Sequence, residues 1–131
     1  MIPILLVCRN HACMSALGTA LDESDAQTTC LMSGRRALAA VSEDVFELLV
    51  TDENLNDMTG LELIRSVMTS QPMINCAVVS TLSSADFHEA SEGLGILMQL
   101  PAEPGKKEAD QLLEHLKKIQ SFAKSAAPRE T

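Results

Sequence analysis

Asp52 is the residue of this sequence whose type and position are best suited to chemistry. It directly follows the apolar run 45–51, and Gly60 comes eight residues later, at the start of a helical pattern. Open α/β sheets place their reactive groups in loops at the carboxyl ends of the strands. A carboxylate in such a loop can act as a nucleophile or bind a metal ion. The spacing therefore predicts a functional site around Asp52.

Cys8 is the second group that could do chemistry, and it lies at the end of the first apolar run. The segment 7–15 reads VCRNHACMS and resembles the signature loop of low-molecular-weight tyrosine phosphatases. In that family a cysteine thiolate attacks phosphorus while loop amides and an arginine hold the phosphate. Met14 stands at the position of that arginine, and no Asp-Pro general-acid loop follows near the carboxyl end. A phosphatase-like enzyme using Cys8 is therefore a remote alternative.

The composition indicates a single acidic domain. The chain has 131 residues, of which 46% are hydrophobic, enough for one core. Its net charge of -8 opposes binding to nucleic acid or to an anionic membrane, because both require a positive surface. The amino-terminal apolar run is too short for a signal peptide or a membrane span, so we expect a cytoplasmic protein. The four cysteines include no CxxC pair, and neither a zinc site nor a disulfide framework is indicated.

Alternating strand and helix patterns must position these groups. Apolar runs predict five strands, at 4–8, 26–32, 45–51, 74–80 and 95–100. Helical patterns follow them at 11–21, 35–41, 60–69, 84–93 and 106–122. The last helix carries an apolar stripe that should face the sheet: Ala109, Leu112, Leu113, Leu116 and Ile119. This order predicts an α/β fold, with a doubly wound five-stranded parallel sheet flanked by five helices in domain 1–123, followed by a polar tail at 124–131.

Several separated segments resemble the receiver domains of response regulators in two-component signalling. The segments 46–52 and 58–63, FELLVTD and MTGLEL, resemble the phosphoacceptor loop of that family. The segment 33–38, SGRRAL, resembles the start of its second helix, and 77–80, AVVS, resembles its fourth strand with a terminal hydroxyl residue. Gly93 and the strand that ends at Leu100 and Pro101 resemble the segment that carries its lysine-proline pair. The resemblance covers nearly the whole chain and implies a flavodoxin-like topology.

The resemblance also implies roles for individual residues. Carried over by position, Asp52 is the phosphoacceptor candidate and Ser80 is the hydroxyl residue that follows the fourth strand. The acidic pair that holds magnesium in the family falls on Cys8 and Arg9, and the family's lysine falls on Leu100. Magnesium prefers oxygen ligands, which leaves Asp52 and a backbone carbonyl near Asn54 as weak metal candidates. We therefore expect no cofactor, and we expect ordinary magnesium binding to be disfavoured.

Charged residues around Asp52 suggest how the site could work instead. The Arg9 guanidinium could replace the missing cations and pair with Asp52, holding the loop in one state without phosphate. Alternatively, Arg9 simply points to solvent. The acidic residues from Glu53 to Asp57 form a rim that would repel an incoming phosphate donor.

Together these residues predict a receiver-like domain that acts mainly by protein-protein interaction and is not an enzyme. The resemblance places docking on the face formed by helix 4, strand 5 and helix 5, at 84–93 and 97–122. A histidine kinase, an output protein or a second copy of the chain would bind there, and no nucleic acid or membrane is expected. The alternative is a phosphorylatable response regulator in which Asp52 accepts phosphate from a histidine kinase.

Overall fold

One parallel five-stranded sheet forms the centre of the molecule, with strand order β2-β1-β3-β4-β5. The computed structural model describes residues 2–126, without the side chains of residues 11, 13 and 120–126. The strands are β1 (Ile2–Val7), β2 (Ala26–Leu31), β3 (Leu48–Asp52), β4 (Asn75–Val79) and β5 (Met98–Leu100). The helices are α1 (Ser15–Asp22), α2 (Gly34–Glu43), α3 (Gly60–Ser70), α4 (Ser84–Ala90) and α5 (Lys106–Ala126). A 3-10 turn (His11–Met14) precedes α1.

Helices cover both faces of the sheet. On the first face, which we call the α1/α5 face, Leu17 and Leu112 belong to one buried cluster. On the second, the α2/α3/α4 face, Val41, Ile64 and Phe87 belong to another. Strands enclosed on both faces need apolar side chains in both directions, which explains the uninterrupted apolar runs in the sequence. The predicted doubly wound α/β fold is confirmed.

The start of α3 is fixed by a local capping pattern. The Thr59 hydroxyl accepts a hydrogen bond from the Glu62 backbone N–H, and the Glu62 carboxylate accepts one from the Thr59 N–H. This reciprocal arrangement satisfies two N–H groups that a helix start would otherwise leave without partners. Gly60 follows Thr59, and a Cβ added there would lie 2.2 Å from the Asp52 carbonyl oxygen. The first turn of α3 therefore sits directly against the end of β3.

Several element boundaries differ from the sequence-based expectation. The third strand begins at Leu48 instead of residue 45, and Val45 is 78% exposed. The fifth strand is only three residues long and begins at Met98. Ile119, expected in the buried stripe of the last helix, is 41% exposed, whereas the other four members of that stripe are buried. Apolar type alone predicted burial at Val45 and Ile119, but their positions at the ends of packed elements leave them in solvent.

The last helix extends further than predicted. It runs to Ala126, so its last three residues belong to the segment expected as a polar tail. Residues 127–131 of the predicted tail lie outside the described residues, and the domain boundary at 123 stays a prediction.

None of the helices within residues 2–126 has the length and apolar character needed to cross a membrane.

Candidate functional site

A cleft of about 260 Å³ opens at the carboxyl ends of the strands. Its lining includes four residues that the sequence suggested for the site: Arg9, Asp52, Asn54 and Ser80. Asp52 ends β3 and Ser80 directly follows β4, and these two strands are neighbours in the sheet. Asn54 and Arg9 lie on the same cleft. Parallel strands bring their carboxyl ends to one edge, and this is why residues far apart in sequence meet here.

The Asp52 carboxylate is bonded to the peptide that follows β1. Its Oδ2 accepts a hydrogen bond of 2.8 Å from the Arg9 backbone N–H. The Arg9 backbone carbonyl accepts a hydrogen bond of 3.4 Å from the Asn56 side-chain amide. The backbone N–H and the backbone carbonyl of Arg9 thus connect the loop after β1 to the β3–α3 loop.

Arg9 contacts Asp52 through its backbone, whereas the sequence suggested a contact through its guanidinium. The link to Asp52 uses a backbone N–H, which every residue except proline provides. The Arg9 residue itself is exposed. The guanidinium pair with Asp52 stays a prediction, while the backbone bond already explains how the two loops are joined.

Ser80 is held by three hydrogen bonds at the start of the β4–α4 loop. Its N–H donates to the Leu100 carbonyl at 3.0 Å, and its Oγ accepts from the Leu82 N–H at 3.1 Å. The Gln99 side-chain amide donates to the carbonyls of Ser80, at 3.1 Å, and Leu82, at 2.8 Å. Gln99 therefore fastens this loop to β5.

Cys8 and Leu100 lie outside the cleft. Both are fully buried and belong to the hydrophobic cluster of the α1/α5 face. The Leu100 side chain, which the resemblance places at the family's lysine position, is part of the apolar core. The Cys8 thiol contacts the Cys30 sulfur and, at 3.9 Å, the Leu31 carbonyl. A buried thiol cannot meet a phosphate ester, so the geometry counts against the phosphatase alternative.

Oxygen groups line the cleft, from the carboxylates of Asp52, Glu53 and Glu103 and the amides of Asn10 and Asn54, but the two positions after β1 where the resemblance expects magnesium ligands hold Cys8 and Arg9. Asp52 and Glu53 supply carboxylates, but one Asp52 oxygen already accepts the Arg9 N–H. Asn54 is exposed and pairs through its backbone with Thr59. Among the side chains that the structure describes, no group of three or more His, Cys, Asp or Glu is arranged to hold a metal ion. The sites named from sequence, Asp52 and Asn54, thus remain weak metal candidates.

Asp57 does not belong to an acidic rim over the cleft. Its carboxylate turns toward α2, where its two oxygens accept hydrogen bonds from the Gly34 N–H at 2.8 Å and the Arg35 N–H at 3.0 Å. These two backbone N–H groups, helped by the nearby Arg35 charge, hold the pKa of Asp57 below its usual value. Met58 packs against Gly34 at the same point. The β3–α3 loop is therefore also anchored to the start of α2.

Sequence reasoning missed Gln99, Asn56 and Asp57. Gln99 carried a signal, because it interrupts a short strand whose neighbours Met98 and Leu100 are apolar. A polar side chain in such a strand needs a hydrogen-bond partner. The parts played by Asn56 and Asp57 depend on contacts with residues 47 and 23 positions away, for which the local sequence carries no signal.

The model of the response regulator receiver domain family matches residues 4–104 of the chain. Among curated proteins, none matches this sequence significantly. The matched region includes Asp52, Ser80, all of β2 to β5, and β1 from its third residue onward.

Solved receiver structures share the fold at low sequence identity. The chemotaxis response regulator CheY4 of Vibrio cholerae is 19% identical, with a TM-score of 0.80, over 88% of this chain and 98% of that chain. A CheY-like receiver domain protein from Methanospirillum hungatei JF-1 is 19% identical, with a TM-score of 0.82, over 93% and 98%. The signal receiver domain of an HD domain-containing protein from Pseudomonas fluorescens Pf-5 is 16% identical, with a TM-score of 0.80, over 95% and 93%.

The family match and the strand order agree with the arrangement of the cleft. Asp52 at the end of β3 and Ser80 after β4 stand where the resemblance placed the acceptor and the hydroxyl residue. The chain belongs to the response regulator receiver domain family.

Proposed function

We propose that this receiver domain signals through protein-protein contacts without ordinary magnesium-dependent phosphorylation of Asp52. The observation that carries the proposal is the full burial of Cys8 and Leu100, the two residues to which the resemblance assigns a metal ligand and an ammonium in the family. Arg9, at the second position of the acidic pair, supplies a backbone N–H to Asp52.

The chemistry of phosphoryl transfer supports this reading. A carboxylate that attacks phosphorus approaches oxygens that are already negative, so a cation must offset the growing charge. Receivers of the ordinary type use a metal ion and a lysine for that purpose, whereas this cleft is lined by three carboxylates, of Asp52, Glu53 and Glu103, against one cation, Arg9. With the protein at a net charge of -8, the surrounding field adds to the repulsion.

The fixed loops favour a receiver with one predominant state. Asp52 connects the β3–α3 loop to the Arg9 peptide, and Gln99 connects the β4–α4 loop to β5. Neither connection requires a phosphate. A surface organised in this way is available to a partner in the unmodified protein.

Beryllofluoride, an analogue of an acyl phosphate, tests the proposal. We expect amide NMR resonances of Asp52 and Ser80 to stay unchanged when beryllofluoride is added with millimolar magnesium. An Asp52→Asn variant is the matched control, because it removes the attacking carboxylate and retains the shape of the side chain. Saturable shifts in the wild-type protein that disappear in this variant would contradict the proposal.

The second candidate is a receiver that still accepts phosphate on Asp52. It is favoured by one observation, namely that Asp52 is partly exposed and shares an open cleft with Ser80. Incubation with acetyl phosphate and magnesium, followed by intact mass measurement, separates the two candidates. Addition of one phosphoryl group in the wild-type protein and none in Asp52→Asn would establish the second candidate.

For the docking site we propose the face formed by α4, β5 and α5. β5 is an edge strand, and a shallow cleft of about 340 Å³ lies between it and α4, with Phe87, Ile96 and Met98 in its lining. A histidine kinase, an output protein or a second copy of the chain fits this surface, in a cytoplasmic setting.

Sedimentation at several protein concentrations tests whether a second copy binds there. Met98→Glu should reduce self-association, and Met73→Glu, at an exposed site away from this face, should not. Equal behaviour of both variants would reject this face as a dimer interface.

A further inference from the structure

Two cysteine thiols meet beside the cleft. The Sγ atoms of Cys8 and Cys30 are 3.3 Å apart, although the residues are separated by 22 positions in sequence. Parallel pairing of β1 with β2 places Leu6 opposite Cys30. Cys8 therefore lies two residues beyond the position opposite Cys30. Side chains two residues apart point to the same face of a sheet. Both sulfurs therefore lie on the α1/α5 face, where Cys8 belongs to the buried cluster and Cys30 packs against it.

The two thiols differ in their access to solvent. Cys8 is fully buried, whereas Cys30 is partly exposed. Cys30 also belongs to β2, which forms one edge of the sheet. A small reagent would thus reach Cys30 first, and Cys8 is positioned to react with whatever forms on Cys30.

We propose that Cys8 and Cys30 form a reversible disulfide in response to a low-molecular-weight disulfide oxidant. The Cys30 thiolate attacks one sulfur of the oxidant, which releases one thiol and leaves a mixed disulfide on Cys30. Cys8 then loses its proton and attacks the Cys30 sulfur, and the second thiol leaves. The two protein thiols lose two electrons and two protons, and the oxidant is reduced to two thiols. Reversible disulfides in reducing compartments commonly serve as redox sensors.

Formation of this bond requires the end of β1 to move. In a flat sheet, residues on adjacent strands offset by two positions have Cα atoms about 8 Å apart. Disulfides usually join Cα atoms separated by about 4.4–6.8 Å, so Cys8 and Cys30 must approach each other. Because the Cys8 N–H still donates to the Leu31 carbonyl at 3.0 Å, the movement falls on the next peptide, which joins Cys8 to Arg9.

That movement connects the thiol pair to the Asp52 cleft. Arg9 follows Cys8 directly, and its N–H donates to Asp52 while its carbonyl accepts from Asn56. Drawing Cys8 toward β2 therefore changes the position of the peptide that joins the two loops. This coupling does not depend on whether Asp52 can be phosphorylated.

Oxidised glutathione with the full chain tests bond formation. We expect peptide mapping after alkylation to identify an intramolecular Cys8–Cys30 disulfide that dithiothreitol reverses. Cys30→Ser should abolish it, and Cys8→Ala should leave only the mixed disulfide on Cys30. Cys13→Ser and Cys76→Ser are controls that should retain it. Cys76 lies in the cluster of the α2/α3/α4 face, and burial raises the pKa of its thiol to about 12, which keeps it protonated.

Amide NMR of the same samples tests the coupling. The Arg9 resonance should shift on oxidation of the wild-type protein and return on reduction, with no comparable shift in Cys30→Ser. Persistence of both thiols, or a disulfide that maps to Cys13 or to a second chain, would overturn the proposal. A Cys8–Cys30 disulfide that leaves the Arg9 resonance unchanged would overturn the coupling to the cleft. Circular dichroism of each variant shows whether it is folded, and Cys30→Ser, at a partly exposed site, supplies the decisive comparison.

Discussion

The cleft has two sides that differ in how much of the receiver pattern they keep. On the side formed by the ends of β3 and β4, Asp52, Gly60 and Ser80 occupy the positions that the family pattern predicts. On the side formed by the ends of β1 and β5, Cys8 and Leu100 are buried core residues. We call these the retained side and the altered side. Under the proposed function, this contrast means that the loop architecture of a receiver is kept while the charged groups expected around Asp52 are replaced.

The reason lies in what each side contributes to the fold. Gly60 touches the Asp52 carbonyl, and Asp57 caps α2, so residues of the retained side hold the loop and two helices in place. On the altered side, apolar groups complete the cluster of the α1/α5 face. The family's charged groups serve chemistry at these positions, whereas burial of apolar groups stabilises the core. Four predictions test this division, beginning with the largest effect.

Leu100→Lys should lower the free energy of unfolding by about 4 kcal/mol, because it removes a packed side chain and introduces a charge into the core. The substitution returns the family's residue type, yet we expect no saturable response to beryllofluoride. Urea unfolding measures the stability. The matched control is Leu82→Lys at an exposed loop position, for which we expect a change within about 0.5 kcal/mol. A stable Leu100→Lys protein that binds beryllofluoride would show that the altered side can still support the chemistry.

Gly60→Ala should break the retained side. Its Cβ would lie 2.2 Å from the Asp52 carbonyl oxygen, and because that atom belongs to the backbone, β3 or α3 must shift. We expect a loss of about 3 kcal/mol in urea unfolding.

Gly34→Ala is the informative comparison for Gly60→Ala. A Cβ at Gly34 would meet the Met58 side chain, which is flexible and can move away. We therefore expect a cost of about 1 kcal/mol or less. Equal losses in the two variants would mean that contact with the backbone at Asp52 has no special importance.

Gln99→Leu tests the connection between the two sides. It removes both hydrogen bonds from the Gln99 amide to the β4–α4 loop, and we expect a local loss of about 1 kcal/mol. Hydrogen exchange at the Leu82 amide should become roughly fivefold faster. Gln27→Leu, at an exposed position of β2, should leave this exchange unchanged. Unaltered exchange in Gln99→Leu would show that Ser80 alone holds the loop.

Asp57→Asn should produce the smallest effect and one that depends on pH. The pKa of Asp57 is lowered from its ordinary value of 3.8 by the N–H groups of Gly34 and Arg35. The folded state thus favours the charged carboxylate, and the resulting stability is complete above about pH 3.8 and is lost as pH falls through the lower folded pKa.

Urea unfolding of wild type and Asp57→Asn at a series of pH values measures this effect. The wild-type protein should be the more stable at neutral pH, and the difference should shrink as the pH falls below 3.8. A difference that is constant with pH would indicate that the charge of Asp57 contributes nothing to the cap.

Periodicity in the sequence predicted the fold, because strands covered on both faces must be apolar in both directions. The spacing from Asp52 to Gly60 predicted the loop, since a strand end and a helix start in close contact require glycine at that point. Local patterns were sufficient for these features.

Contacts between distant segments could not be predicted in the same way. The cap that Asp57 provides depends on α2 lying beside the β3–α3 loop, and the meeting of Cys8 with Cys30 depends on the register of β1 and β2. The backbone bond from Arg9 to Asp52 was equally hidden, because side-chain identity carries no information about it. Val45 was misassigned because an apolar residue at a strand's entrance can remain in solvent.

The shared cluster around Cys8 and Leu100 has an evolutionary consequence. Under the proposed function, a return to metal-assisted phosphorylation would need new charges at both positions, and each sits fully buried on the α1/α5 face. Either replacement alone places an uncompensated charge in that core, which is strongly unfavourable. Such a return would therefore pass through unstable intermediates.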